Sequence, residues 1–346
     1  RLADLETHER FCTKSLLDLR VGNWRYFYQG PQDMHQTLAS PFFGDDTEHY
    51  LDVFLGSIQA LQMSVDNVTQ IENIDSWFMA LEDKMAIVYN HTKQTLAEGK
   101  LALGVGLRQA RTVDIGKILK TAGFDWLFID MEHNAMTIDT ATQIAVAGQD
   151  AGITPLVRVP GFEHHHASRA LDCGAQGIVA PHVDDAETAA RIVSACRYPP
   201  HGKRSMTGGL PQLDFVPTPL NETVQVINDS TLVVVMVESP EAVANADALA
   251  STEGVDIVLI GTNDLCMEMG IPGQFDHDQV ADAYARVGEA CKKHKKTLGM
   301  GGVYNPVLME KYIGLGARFI LSGSDLSFLM SGASARAQEL RALSIS

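Results

Sequence analysis

From about residue 101 the chain alternates short, almost wholly apolar runs with longer stretches in which apolar residues recur every three or four positions. The apolar runs are LALGVGL (101–107), FDWLFID (124–130), TPLVRV (154–159), QGIVAP (176–181), TLVVVMVES (231–239), VDIVLIG (255–261), TLGMGG (297–302) and RFILSG (318–323), eight in all. Most are continuous and rich in β-branched residues, the pattern of parallel strands covered on both faces. The stretches 112–122, 139–151, 184–196, 240–250, 278–295 and 305–315 between them read as amphipathic helices. Gly123, Gly152, Gly174 and Gly316 stand where those helices need a C-cap, just ahead of the next strand. Eight such units in about 250 residues is the length of a (β/α)8 TIM barrel. A doubly wound open sheet is the rival α/β fold, but it opens on a Gly-rich turn, and GVGLRQA lacks the GxGxxG spacing.

Two regions break the rhythm. Residues 1–90 contain no βα unit and read as helices over 47–63 and 66–97, with Leu51, Phe54, Leu55, Ile58 and Leu61, then Trp77, Phe78, Leu81 and Met85, at helical spacing. Asp66 and Asn67 suit a helix start. The chain is therefore divided into a helical extension (1–90), for oligomerisation or regulation, and a barrel domain (91–346). The second break is a Pro- and Gly-containing insertion at 197–230, after the fourth unit. Long loops of this kind in compact barrels often carry function.

Charge and cysteine usage narrow the partners. A formal net charge of −16 disfavours nucleic acid and anionic membrane surfaces, though a local basic site can still hold an anionic substrate. No apolar run approaches the length of a membrane span, and the opening residues do not pattern as a signal peptide. The five cysteines are widely spaced and form no CxxC pair, which suggests neither a disulfide framework nor a zinc site. A cytoplasmic protein is expected.

Barrel enzymes place their chemistry at the C-terminal ends of the strands. Those ends carry Asp130, Glu132 and His133 after strand 2, Arg158 on strand 3, His182 after strand 4, Glu238 on strand 5 and Asp264 after strand 6, with Ser322, Ser324 and Asp325 after strand 8. No lysine stands at a strand end, so a Schiff-base aldolase has no amine to use. Glu238 and Asp264, from adjacent strands, suit a hard divalent cation with positions left open for a bidentate 2-oxo acid. Each residue also has a plainer reading. The two carboxylates can be loop caps, Arg158 a structural ion pair and His133 a loop histidine. His164–His166 open a helix with side chains pointing in different directions, Asp184 and Asp185 read as a helix start, and Cys173 and Cys266 as small packed residues.

The strand-end residues recur in longer stretches: AGFDWLFIDMEH (122–133), PLVRVP (155–160), ALDCGAQGIVAPHV (170–183), ACRYPPHGKRS (195–205), VVMVES (234–239), EGVDIVLIGTNDLCMEMG (253–270) and YIGLGARFILSGSD (312–325). In order and spacing they resemble the HpcH/HpaI aldolase family, the class II pyruvate aldolases, over residues from about 90 to 343. The resemblance implies a metal-dependent lyase that joins or cleaves pyruvate and an aldehyde in a 4-hydroxy-2-oxo acid. It implies Glu238 and Asp264 as metal ligands, for Mg2+ or Mn2+, with Co2+ or Zn2+ as alternatives. Arg158 would hold the 2-oxo acid, and His133 would move a proton through metal-bound water with Asp130 in support. Asp172 would reach the site of a neighbouring subunit, and a homo-oligomer, a hexamer by the family's habit, follows. Backbone amides of Gly261, Thr262 and Asn263 would take the pyruvate carboxylate.

The sequence also departs from that family. Met236 stands where Gln is frequent, Thr262 and Asn263 where Pro-Ala is frequent, and His182 where an apolar residue is common. The loop after strand 1 is about three residues longer and carries Arg108 and Arg111, which places Arg108 among the substrate-binding candidates. These changes leave the pyruvate half intact and alter the acceptor half. Oxaloacetate decarboxylation, or a macrophomate-synthase-like condensation, would use the same enolate. Acyl-CoA lyases are relatives, but the chain shows no basic run for CoA phosphates. A non-catalytic scaffold is the third class, and the intact strand-end set weighs against it.

Overall fold

The computed structural model describes residues 88–344. Eight parallel strands close into one barrel in sequence order, β1 pairing with both β2 and β8. The strands are β1 (Ala102–Leu107), β2 (Trp126–Asp130), β3 (Thr154–Arg158), β4 (Gly177–Ala180), β5 (Leu232–Val237), β6 (Ile257–Gly261), β7 (Thr297–Gly301) and β8 (Ala317–Ser324). The helices are α1 (His91–Ala97), α2 (Ile115–Thr121), α3 (Ile138–Asp150), α4 (His164–Asp172), α5 (Ala186–Cys196), α6 (Leu220–Ser230), α7 (Pro240–Ala244), α8 (Ala246–Ser251), α9 (Thr262–Glu268), α10 (Asp278–His294), α11 (Pro306–Gly314) and α12 (Asp325–Arg341). All eight expected strands are present. Gly123, Gly152, Gly174 and Gly316 take positive φ, the left-handed conformation a C-cap glycine supplies. Asp185 caps α5 by accepting from the Thr188 amide.

The two-residue period of a strand sorts its side chains into two cores. One alternate set meets inside the barrel: Trp126 and Phe128, Leu156, Val179, Leu232, Val234 and Met236, Ile257 and Leu259, and Phe319. The other set packs outward under the helices. Trp126 fills the lumen because Gly104 faces it; a Cβ on Gly104 would lie 2.1 Å from the indole. Continuing the lumen period beyond this packed layer brings Asp130, Arg158, Glu238 and Gly261 to the barrel's inner face at its C-terminal mouth. Met236 lies buried one lumen position below Glu238.

Two expectations change. The helix expected over 66–97 does not run through Asn90: residues 88–90 are non-helical, and Asn90 starts α1 by accepting from the Lys93 amide. Asn90 also donates to the Ser230 and Gln176 carbonyls, which ties α1 to the N-terminal side of the barrel. The compact unit that holds the barrel begins at Met85, and the remaining expectations for the extension 1–90 lie outside the described residues. The insertion 197–230 contains a short 3-10 turn (Pro211–Leu213) and α6, with its own small core of Tyr198, Leu210 and Ile227. It joins the end of α5 to the start of β5, so it lies on the face opposite the mouth and takes no part in this chain's own site. Among the described residues no helix is long and apolar enough to cross a membrane.

Candidate active site

The centre of the mouth is Arg158, the last residue of β3, 4% exposed. Its Nε donates to Asp130 Oδ1 at 2.9 Å and its Nη2 to Oδ2 at 2.7 Å, a two-point pairing across the β2–β3 register. Its Cζ lies 4.9 Å from the Phe128 ring centroid. Nη1 lies 2.8 Å from Glu132 Oε2, an ion pair out of line for a directed hydrogen bond, and that oxygen has no hydrogen-bond partner. A guanidinium has five N–H donors, so these contacts fix its orientation and still leave donors for a ligand. Burial alone would raise the Asp130 carboxyl. The hydrogen bonds and charge of Arg158, with the amides of His133 and Glu132, outweigh burial and hold it below the usual range. The Asp130 carboxylate is thus committed to Arg158 and to the backbone of the next turn. It makes no hydrogen bond to the His133 ring, whose Nε2 lies 3.7 Å from Glu132 Oε2.

Glu238 follows β5 and is 2% exposed. Its Oε2 accepts from the His182 amide at 2.8 Å. Its other oxygen nestles against Gly261, where an added Cβ would lie 2.4 Å from Oε1. Burial pushes its carboxyl up to about 7 and the charge of Asp264 pushes the same way, against the His182 amide and the charges of His182 and Arg158. Asp264 stands in the first turn of α9.

These observations test whether the residues fit a divalent cation. Four acids, Asp130, Glu132, Glu238 and Asp264, share the mouth with two guanidiniums, those of Arg158 and Arg108, an excess of two negative charges when the acids are ionised. Glu238 and Asp264 offer all-oxygen ligation, and a cation there would relieve the repulsion between them. The donor set fits a hard ion.

The rim carries the remaining candidates. Arg108, just beyond β1, places Nε 3.9 Å from Asp130 Oδ2 and is about half exposed. Arg111 turns elsewhere, donating to the Ala110 carbonyl and to Asn134. Asp325 pins their loop by accepting from the amides of Arg108, Gln109 and Ala110 at 2.9, 2.8 and 2.6 Å. The Thr262 hydroxyl is fully buried, donating to the Gly301 carbonyl and sharing a hydrogen bond with the Tyr284 hydroxyl, so only its backbone can meet a ligand. Asn263 packs against Gly302, whose positive φ turns the chain toward Tyr304. Asp172 is not in this chain's mouth. It ends α4 on the opposite face, where its Oδ1 accepts from Arg204 at 2.7 and 3.2 Å.

Three residues of the mouth had no expected role. Glu132 follows Asp130 by two positions, so the strand period pointed to it. His182 has φ 52, and no sequence signal announces a left-handed histidine, a conformation that costs on the order of 1–2 kcal/mol. Tyr304, half exposed, has its hydroxyl pushed up by burial, with the charges of Arg108 and Arg158 acting against that.

Comparisons with known proteins identify the family. The sequence profile described as HpcH/HpaI aldolase/citrate lyase matches residues 108–331. The 4-hydroxy-4-methyl-2-oxoglutarate aldolase of Hapsidospora irregularis is 40% identical over 68% of this chain and 89% of its own length. The 5-keto-4-deoxy-D-glucarate aldolase of Klebsiella pneumoniae is 33% identical over 71% and 94%. Among solved structures, an HpcH/HpaI aldolase from Desulfitobacterium hafniense superposes with a TM-score of 0.71 at 30% identity, covering 74% of this chain and 98% of that one. Macrophomate synthase superposes at 0.61 with 25% identity, over 72% and 88%. The chain belongs to the HpcH/HpaI aldolase/citrate lyase family, as a carbon–carbon lyase on a TIM barrel.

Proposed function

We propose that the chain is a divalent-metal-dependent aldolase for 4-hydroxy-2-oxo acids whose acceptor half carries its own carboxylate, as in 4-hydroxy-4-methyl-2-oxoglutarate. The observation that carries the reading is a buried, two-point-held Arg158 beside the Glu238–Asp264 pair, in a mouth where no strand ends in lysine. Mg2+ or Mn2+ held by Glu238 and Asp264 would supply a Lewis acid at the 2-oxo acid. Arg158 orients the 2-oxo acid and stabilises charge developing on its oxygen. Cleavage breaks the bond between C3 and C4 of the substrate, whose electron pair passes into the pyruvate enolate. The C4 hydroxyl gives up its proton as the new carbonyl forms, and C3 of the enolate takes a proton to give pyruvate. His133, half exposed at the rim, would move that proton. The amides of Gly261, Thr262 and Asn263, at the start of α9, would take the carboxylate end. Arg108, with no hydrogen bond from its guanidinium among the described residues, is free for a second carboxylate.

The test is pyruvate release from 4-hydroxy-4-methyl-2-oxoglutarate, from a 4-hydroxy-2-oxo acid with a neutral acceptor half, and from oxaloacetate, with and without EDTA. The expected order places the dicarboxylic hydroxy acid first, with all activity lost in EDTA. Activity on oxaloacetate alone would replace this reading with a decarboxylase. Asp325→Ala, by freeing the loop of Arg108, should lower kcat/KM for the dicarboxylic substrate about threefold and leave the neutral one unchanged in steady-state kinetics.

Assembly belongs to the same proposal. α12 buries none of its residues and leaves Leu329 65% and Met330 57% exposed. An apolar face of that kind on a barrel helix supports a homo-oligomer, with the hexamer as the expected state. Asp172, on the face opposite the mouth, is then available to a neighbour's His133. Sedimentation should give a multiple of the 37.6 kDa chain. A fully active monomer would remove the shared site. The expected compartment is the cytoplasm.

A further inference from the structure

β4 stops at Ala180, and the chain turns out of the barrel through Pro181 and His182. The turn gives His182 two contacts with one oxygen. Its amide donates to Glu238 Oε2 at 2.8 Å, and its Nδ1 lies 3.3 Å from the same atom. On the other side of the ring, Nε2 lies 3.4 Å from Glu132 Oε1. The second oxygen of Glu132 lies 2.8 Å from Arg158 Nη1. A continuous line of contacts therefore joins Glu238, His182, Glu132 and Arg158.

The amide contact needs no particular side chain, and glycine or asparagine would adopt the left-handed backbone with less strain. What histidine adds is a ring with a nitrogen toward each of two carboxylates. Without it Glu132 would have only Arg158 and the more distant His133 to hold it.

We propose that His182 is a positioning residue that fixes Glu132, and through it Arg158, relative to Glu238, so that the arm holding the 2-oxo acid stays in register with the carboxylate pair. The proposal rests on the aldolase reading above. A 2-oxo acid must meet Arg158 and the cation held by Glu238 and Asp264 at once, and misplacement by about 1 Å costs as much as a hundredfold in rate.

His182→Gly keeps the amide and the positive φ and removes only the ring. The variant should bind Mn2+ within about threefold of wild type and bind pyruvate about tenfold more weakly to the Mn2+-loaded protein by calorimetry, with kcat for pyruvate release down about tenfold. Imidazole added to the buffer should restore part of the pyruvate binding in the variant and none in wild type, which a merely structural role would not do. His182→Asn, with the same backbone preference and one amide donor, should fall between the two, and it carries the test if the glycine variant does not fold. Unchanged pyruvate binding would overturn the proposal. So would a loss of pyruvate binding matched by an equal loss of Mn2+ affinity, which would make the ring a servant of the cation alone. Wild-type protein that binds Mn2+ but not pyruvate would instead sink the aldolase reading, and the positioning role with it.

Discussion

Glu238→Ala and Asp264→Ala should each strip the protein of its divalent ion and lower kcat/KM for pyruvate release by three orders of magnitude or more, about 4 kcal/mol. The expectation follows from the all-oxygen pair and from the strand ends, none of which is a lysine able to form a Schiff base. A loss of activity alone would not separate a ligand from a residue the fold needs, and the electrostatics of Glu238 supply the control. Its carboxyl is raised to about 7, chiefly by burial, so in the metal-free protein its charged form is disfavoured relative to the unfolded chain. For an acid with a raised folded value, stability is greatest below the unfolded pKa and falls as pH rises toward the folded one. Between about pH 4.5 and 7 that loss grows, reaching a few kcal/mol above 7. Glu238→Gln keeps the shape and removes the charge. In EDTA at pH 8 it should therefore melt at or above wild type, while Mn2+ should stabilise wild type and not the variant. Gly261→Ala should act on the same site from outside, because its Cβ would lie 2.4 Å from Glu238 Oε1 and push the carboxylate off its seat. Metal-free Glu238→Ala protein that turned over at the wild-type rate would end the metal mechanism.

The legibility of this site in the sequence follows the periodicity of the strands. β2, β3, β5 and β6 carry their lumen residues on even or odd positions throughout, so Asp130, Arg158 and Glu238 could be placed at the mouth by continuing a two-residue count from Trp126, Leu156 and Leu232. Glu132 obeys the same count. His182 and Tyr304 do not, because each follows a reversal: a left-handed histidine in one case and Gly302 at φ 86 in the other. Direction along the chain was harder to read than identity. Asp172 and the 197–230 insertion follow helices rather than strands, and a barrel sends such segments to the face away from the mouth. The same limit applies to Arg108 and Arg111. They are three residues apart in one loop and of the same residue type, and only the folded loop, pinned by Asp325, shows one near Asp130 and the other near Asn134.

That difference makes Arg108, and not Arg111, the residue expected to select the acceptor. Arg158 is already engaged by Asp130 through two hydrogen bonds and drawn to Glu132, so in the proposed reaction its remaining donors would serve the 2-oxo acid end. Arg108 has one distant ion pair, at 3.9 Å, and is 48% exposed, so its planar fork is free to meet a second carboxylate. Half exposure weakens that contact through solvent screening, which places it near the lower end of the range for charged hydrogen bonds, about 1.5 kcal/mol or roughly tenfold. Arg108→Ala should therefore lower kcat/KM about tenfold for 4-hydroxy-4-methyl-2-oxoglutarate, mainly through KM. It should leave oxaloacetate decarboxylation and hydroxy acids with a neutral acceptor half nearly unchanged, since the first carries its second carboxylate at C4, one carbon short of the C5 carboxylate of the dicarboxylic hydroxy acid, and the second carries none. Arg108→Lys should recover only part of the loss, because an ammonium keeps the charge and gives up the two parallel hydrogen bonds. Arg111→Ala, whose donors are spent on Ala110 and Asn134, should match wild type on every substrate. Equal losses on dicarboxylic and neutral substrates would show that Arg108 acts on Asp130 and the shared half of the site. Neutral behaviour on both would leave acceptor choice to the phenol of Tyr304 and the walls around it.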